Sequence, residues 1–242
     1  MASSQATTLE LGDLTAEVIQ KDIKHVHLSV HPPAGRLRIA APRHMSMDTL
    51  RLFAVAKLPW IRRQQRDLQA QEREPPREYI DQESHYVWGR RRLLTVEERD
   101  ARPGVTLHRR RLTLNVRPGT DAADRRAALD AWYRQSVRDA VTPLLDVWQK
   151  SMKVKAGRVE VRRMRTKWGS CTPATGNLRL NTELAKKDPA CLEYVLVHEL
   201  AHLIEPTHNA RFVAAMDRFM PDWRQRRALL NRLPVRHEDW AY

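Results

Sequence analysis

The stretch VLVHELAHLIEPTH, residues 195–208, constrains this chain more strongly than any other part of its sequence. Two histidines, His198 and His202, lie four residues apart, and Glu199 directly follows the first of them. The surrounding residues are apolar at nearly every helical position, which is typical of a helix that is buried on all sides. Buried histidine and glutamate side chains are costly unless a partner satisfies them. The pattern therefore favours a metal site over a polar network in the core.

Residues four apart lie on one face of a helix, so both imidazoles can bind a single ion. Glu199 is rotated by about 100° from His198 and lies beside that ion. From there its carboxylate can take a proton from a water molecule whose pKa zinc lowers. The spacing thus predicts His198 and His202 as zinc ligands and Glu199 as the catalytic base.

A catalytic zinc ion needs a third protein ligand and an open fourth position. Pro206 must end the histidine helix, because a proline cannot continue it. The chain beyond the break is free to approach the ion from another side, which favours His208 as the third ligand. Glu205 and the more distant His237 are the alternatives.

The preceding segment KWGSCTPATGNLRLN, residues 167–181, predicts a β-hairpin. Arg179 and Asn181 alternate with leucines on its second strand, and they are candidates to bind substrate or to line a solvated face. Trp168 is a candidate to border the cleft or to pack in the core. We expect the strand over residues 177–181 to be an exposed sheet edge that pairs with an extended substrate.

Two kinds of periodicity divide the chain. Residues 1–120 alternate as strands, with a hairpin turn at Pro32–Gly35 and one helix over 47–71 that is interrupted near Pro59. Residues 121–242 show helical spacing around the hairpin, with helix starts at Asp188 and Asn209. We therefore predict an α+β protein, with a β-rich N-terminal domain over 1–120. The second domain, over 121–242, is predicted to hold a small antiparallel sheet, the histidine helix and C-terminal helices.

Composition narrows the cellular setting. No run approaches the ~18 apolar residues of a membrane-spanning helix, and the N-terminal residues lack the pattern of a secretory signal. The 2 cysteines form no disulfide framework. We expect a cytoplasmic protein with no membrane partner.

The formal net charge of +14 suggests affinity for polyanions. In an extended chain, Arg163, Arg165 and Lys167 share one face and are candidates to contact DNA phosphates. The alternative to a peptidase is a nucleic-acid-binding module with a structural zinc. Such a site would need a fourth cysteine or histidine ligand, and the sequence offers none at a suitable spacing.

The segments EYVLVHELAHL, TKWGSCTPATGNLRLNTEL and RFVAAMDRFMPDWRQRRALLN together resemble the YgjP-like metallopeptidases, which are similar to SprT-like and WLM metallopeptidases. The resemblance covers roughly Asp121 to Arg232 and implies a zincin-like catalytic domain that cleaves proteins or peptides. It also implies zinc ligation by His198, His202 and His208, with Glu199 as general base. Because SprT-like peptidases act on proteins attached to DNA, the resemblance supports DNA as a further partner.

Overall fold

The computed structural model describes residues 6–31, 35–70, 77–164 and 167–232. It forms two compact units, an N-terminal unit that includes residues 1–75 and a C-terminal unit over residues 76–233. Pro32–Ala34 of the predicted turn lie outside the described residues, as do Arg165 and His237. Within the described ranges, no helix has the length and apolar character needed to cross a lipid bilayer.

The N-terminal unit is a four-stranded sheet with two helices. Its strands are β1 (Ala6–Leu11), β2 (Leu14–Lys21), β3 (His27–His31) and β4 (Arg36–Pro42). They pair in the order β1-β2-β4-β3. Helices α1 (Met47–Ala56) and α2 (Leu58–Ala70) follow, so the predicted break next to Pro59 is confirmed. Because apolar residues alternate along the strands, one face of the sheet packs a core that includes Leu9, Val18, Leu37, Ile39, Leu50 and Ile61.

The C-terminal unit begins with a second four-stranded sheet. Its strands are β5 (Ser84–Val87), β6 (Arg90–Glu98), β7 (Gly104–His108) and β8 (Arg111–Val116). They pair in the order β5-β6-β8-β7. In both sheets the outer pairs are antiparallel and the central pair is parallel. The two units therefore share a topology of two hairpins whose second strands lie side by side.

Helix α3 (Ala122–Met152) follows this sheet within the same unit. It begins at Asp121, whose side chain accepts a hydrogen bond from the N–H of Asp124 at 2.8 Å. Leu112 of the sheet and Leu129 of the helix belong to one hydrophobic core. The domain boundary predicted at residue 120 thus falls between two elements of the C-terminal unit. The change of period there marks a change from strand to helix.

A second, three-stranded sheet contains β9 (Val159–Arg162), β10 (Gly169–Thr172) and β11 (Asn177–Asn181). Strand β11 lies in the middle, antiparallel to β10 and parallel to β9. The prediction that residues 177–181 form an exposed edge is therefore wrong, and the small sheet is mixed rather than wholly antiparallel. Alternation of Leu178 and Leu180 with polar residues shows that one face is buried, and central and edge strands share that property.

Four short helical elements complete the described chain. They are a 3₁₀ helix (Thr182–Lys186), α4 (Pro189–Ala201), α5 (Ala210–Phe219) and α6 (Trp223–Arg232). Both predicted helix starts are confirmed. Asp188 accepts a hydrogen bond from the N–H of Ala190 at 2.9 Å, and Asn209 accepts one from the N–H of Arg211 at 2.9 Å. The α+β class predicted from the sequence is confirmed by this mixture of small sheets and helices.

Candidate active site

Helix α4 positions two histidines and a glutamate at the edge of the core. From Cys191 to Ala201 its apolar residues are buried on every side, which fixes the helix in place. His198 is half-buried, while Glu199 and His202 are only 5% and 8% exposed. His202 lies one residue past the end of α4 and keeps right-handed helical backbone angles. Both imidazoles therefore occupy successive turns of one helix face, as the spacing predicted.

The segment between α4 and α5 brings His208 to the two histidines of α4. Nε2 of His208 lies 3.0 Å from Nε2 of His198. One ring nitrogen from each of the three histidines lies within 4.8 Å of the others. Two nitrogens that bind one zinc ion at about 2.0–2.1 Å are roughly 3.3 Å apart in tetrahedral geometry. The three histidines therefore fit a single metal ion.

A backbone contact orients His202. Its Nδ1 lies 3.3 Å from the carbonyl oxygen of Glu205. A carbonyl can only accept, so Nδ1 carries the proton and the lone pair of Nε2 is left for a metal. The side chain of Glu205 is occupied elsewhere, because its Oε1 accepts hydrogen bonds from Thr207 Oγ1 at 3.0 Å and Thr207 N at 3.3 Å. Among the described residues, Glu205 is not part of the group of potential ligands.

Phe212 packs against all three histidines. Its ring centroid lies 4.9 Å from that of His198 and 4.7 Å from those of His202 and His208. Asn209 places this ring by accepting a hydrogen bond from the N–H of Phe212 at 3.1 Å, at the start of α5. The ring restricts the rotation of the imidazoles and excludes water from one side of the group.

Glu199 is packed against the backbone of β10. A Cβ atom on Gly169 would lie only 2.6 Å from Oε1 of Glu199, a separation that real side chains do not adopt. Hydrogen bonding from the N–H of Cys171 also acts on this carboxyl group. The carboxyl group thus lies against two backbone positions of β10, and a side chain at Gly169 would displace it.

Burial dominates the electrostatics of the site. It raises the pKa of Glu199 to about 7, against the opposing effects of the Lys167 charge and the Cys171 N–H. Burial also lowers the pKa of His198 to about 4, with further lowering from His202 and His208. The pKa of His202 is lowered for the same first reason. The histidines of α4 are therefore neutral near pH 7, which is the form that binds metal.

These groups line a cleft of about 450 Å³. Its described lining comes from β10 and the residues before it, from α4, from the segment that carries His208 and from α6. Trp168, a predicted substrate-binding residue, lies in this lining. Its ring is also 5.6 Å from Nζ of Lys187 and packs partly against the core. Both readings of Trp168 from the sequence therefore describe part of its environment.

The other two predicted substrate-binding residues lie away from the described lining of the cleft. Arg179 is exposed on β11 and forms an ion pair with Glu160 at 3.5 Å. Asn181 is buried, and its Nδ2 donates to the carbonyl oxygens of Met164 and Lys167 at 2.8 and 2.9 Å. In this structure, Asn181 holds the chain that leads into β10.

The three predicted DNA-contacting residues lie outside the described strands. Strand β9 ends at Arg162, so Arg163 lies beyond it. Lys167 lines the cleft. Arg165 falls outside the described residues.

Sequence reasoning missed two contributors to the site. Gly169 had a signal, because a glycine inside a strand often marks a close approach of another group. Arg227 of α6 also lines the cleft, but nothing in the pattern of that arginine-rich helix distinguishes it from its neighbours.

Comparison with known proteins identifies the family. A family model described as "YgjP-like, metallopeptidase domain" matches residues 24–233. This chain belongs to the YgjP-like family. The match includes every residue of the cleft named above, and the resemblance predicted from the sequence is confirmed. Membership of the YgjP-like family makes the protein a metallopeptidase, and it implies a metal ion at the site.

Two solved structures are similar to part of the chain. One is the metallopeptidase zymogen of Methanocaldococcus jannaschii jannalysin, with 20% identity and a TM-score of 0.34 over 39% of this chain and 92% of that one. The other is the metallopeptidase zymogen of Pyrococcus abyssi abylysin, with 22% identity and a TM-score of 0.34 over 41% of this chain and 99% of that one. A search of curated proteins returned no match.

Proposed function

We propose that the cleft hydrolyses peptide bonds with a zinc ion held by His198, His202 and His208, and with Glu199 as the general base. One observation carries the proposal: three imidazoles converge beside a single buried carboxyl group in an open cleft. A zinc ion held there would polarise a carbonyl group and lower the pKa of water to about 7. Neutral imidazoles are suitable ligands for zinc, although copper, iron and nickel also accept them.

Glu199 supplies the proton transfers. In its carboxylate form, one of its oxygens takes a proton from the attacking water and passes it to the nitrogen of the leaving amine. Burial favours these steps because it holds the pKa of the carboxyl group near 7, where it can both accept and return a proton.

Tyr194 is a candidate donor to the developing oxyanion. It lines the cleft one turn before His198, with ring centroids 5.8 Å apart. Burial raises the pKa of its phenol, so the hydroxyl keeps its proton and can donate a hydrogen bond.

Strand β10 is the edge on which an extended substrate would lie. The N–H of Asn181 donates to the carbonyl oxygen of Trp168 at 2.9 Å, which sets the pairing of β10 with β11. Alternate residues of an antiparallel pair turn their backbone groups outward, and here these are Gly169 and Cys171. Because the N–H of Cys171 already acts on Glu199, the groups proposed to pair with a substrate are the N–H and C=O of Gly169 and the C=O of Cys171. Backbone pairing along this edge gives affinity with little dependence on side chains.

Metal content and turnover test the proposal together. The purified protein should contain about one zinc per chain, and His198→Ala and His202→Ala should lose it. Glu199→Gln should retain the zinc and lose peptide hydrolysis by at least about 100-fold, because its amide cannot act as a base. Full zinc retention in both histidine variants, or full hydrolysis by Glu199→Gln, would contradict the assignment.

A structural zinc in a nucleic-acid-binding module is the competing function. Structural sites are closed by four cysteine or histidine ligands. The group in the described residues has three histidines and no fourth ligand. This favours a catalytic site with an open position.

A further inference from the structure

The charged side chains that line the cleft are mostly cationic. Lys167 lies just before β10, and Arg227 lies on α6. Both are exposed, and within the described ranges neither side chain forms a hydrogen bond or an ion pair. The carboxyl group in the described lining is that of Glu199, which the proposed reaction uses. Among the described residues, the lining of the cleft therefore holds two cations whose side chains have no ion-pair partner.

The neighbours of Arg227 on α6 differ from it in this respect. Arg224 forms an ion pair with Asp217. Arg226 forms ion pairs with Glu193 and Asp222. Among the described residues, Arg224 and Arg226 thus have carboxylate partners, whereas Arg227, which lines the cleft, has none and is available for a ligand.

The two cations also lie close enough to act on the site. The charge of Arg227 lowers the pKa of both His198 and Tyr194. The charge of Lys167 lowers the pKa of Glu199. An anionic group of a substrate bound near Lys167 or near Arg227 would therefore come within the range of that cation.

We propose that Lys167 and Arg227 select peptides that carry acidic residues close to the scissile bond. This inference rests on the proposed peptidase function and adds the substrate class. Each cation provides a contact for one carboxylate, one at the start of β10 and the other at α6. Because both are exposed, each contact is expected to change kcat/KM by about two- to five-fold, and the effect should shrink as salt rises.

Matched peptides test the inference. The two peptides of each pair differ only by Glu or Gln at one position near the scissile bond. Cleavage of every pair is measured with the wild type, Lys167→Gln, Arg227→Gln and Arg224→Gln. The wild type should prefer the Glu peptides, and Lys167→Gln and Arg227→Gln should each lose part of this preference at a different position. Arg224→Gln is the control, since it removes an exposed charge of the same helix outside the described lining of the cleft. Arg227→Glu should reverse the charge preference, so that Lys is favoured over Gln at the substrate position that Arg227 contacts.

A binding assay separates this inference from the proposed function. Glu199→Gln is titrated with the same peptides, and the Glu peptides should bind more tightly than the Gln peptides. Hydrolysis of both peptides at equal rates, with equal binding, would overturn the inference and leave the peptidase function standing. Tighter binding of Glu peptides without any hydrolysis by the wild type would support the inference and contradict the peptidase function. An equal loss of preference in Arg224→Gln would also overturn the inference, because the effect would then come from the overall charge.

Discussion

Replacing Gly169 by alanine tests whether the backbone of β10 sets the position of Glu199, the proposed catalytic base. A Cβ atom at this position would lie 2.6 Å from Oε1 and 2.8 Å from Cγ of Glu199, and 2.8 Å from Cγ1 of Val195. Carbon atoms in contact prefer separations of about 3.5–4.0 Å. The carboxyl group must therefore retreat from β10 by roughly 1 Å, away from the N–H of Cys171.

The size of this displacement sets the expected loss. A misplacement of about 1 Å can reduce a rate by about 100-fold. We expect kcat of Gly169→Ala to fall by about 10- to 100-fold, which corresponds to about 1.4–2.7 kcal/mol in the barrier. Crowding in a packed core costs about 1–3 kcal/mol, so the melting temperature should fall as well.

The assay measures kcat and KM on a fluorogenic peptide, zinc per chain and thermal unfolding for each variant. Gly104→Ala is the matched control, because a Cβ atom there meets nothing within 4 Å. Gly169→Ala should keep its zinc, since none of the three histidines is among the nearest contacts of the added methyl group. In Gly169→Ala/Val195→Ala, the crowding against Val195 is relieved while that against Glu199 remains. The double variant should therefore recover part of the stability lost on adding the methyl group without recovering kcat.

Two results would refute this reasoning. Wild-type kcat in a folded, zinc-loaded Gly169→Ala would show that the approach of β10 does not hold Glu199 in its working position. A loss of kcat that disappears in the double variant would attribute the defect to Val195 and the packing of α4.

The remaining predictions concern stability and zinc binding. Burial lowers the pKa of His85 to about 4, so below its usual pKa of about 6.5 the unfolded chain takes up a proton that the folded chain excludes. The unfolding free energy should therefore decrease as the pH falls from 6.5 to 4, by about 2 kcal/mol at pH 5. In chemical denaturation, His85→Gln should show a smaller decrease than the wild type. The exposed control His108→Gln should show the same decrease as the wild type. Asn181→Ala should reduce the unfolding free energy by about 1–3 kcal/mol, because it leaves two backbone acceptors without their donor; unchanged denaturation midpoints would contradict this. Phe212→Ala should weaken zinc binding by about 10-fold or more in a chelator competition, because the ring no longer restricts the ligands.

The parts of the structure that the sequence predicts best depend on local chemistry. Asp188 and Asn209 begin their helices as expected, because capping involves side chains and backbone groups only two or three residues apart. The convergence of His198 and His202 is equally local, since a helix fixes the relation of residues four apart. The place of His208 was open in the sequence because it depends on the path of a short irregular segment after a helix end.

Predictions that depend on pairing between residues far apart in the sequence were less accurate. The position of β11 in its sheet is decided by β9, which arrives parallel to it from residues 159–162. The alternation of apolar and polar residues along a strand indicates which face is buried. It does not indicate whether one or two neighbouring strands pair with its backbone. The same limit explains why the sequence placed residues 77–120 in the N-terminal domain. Their strands show a half-buried pattern, but only the fold shows that their apolar face joins the core of α3.

The proposed ligands and the proposed base are visible in the sequence, but the feature that positions the base is not, and this explains why Gly169 was missed. Metal ligands and a general base are recognised by the chemistry of their side chains, so His198, His202 and Glu199 are visible in the sequence. The position of Glu199 depends instead on the absence of a side chain at Gly169 and on a backbone N–H that any residue at Cys171 would supply. Substitutions at Cys171 that keep the strand paired should therefore be tolerated better than any substitution at Gly169. The steric demand on β10 follows from the close approach of Glu199, and the sequence alone contains no measure of that distance.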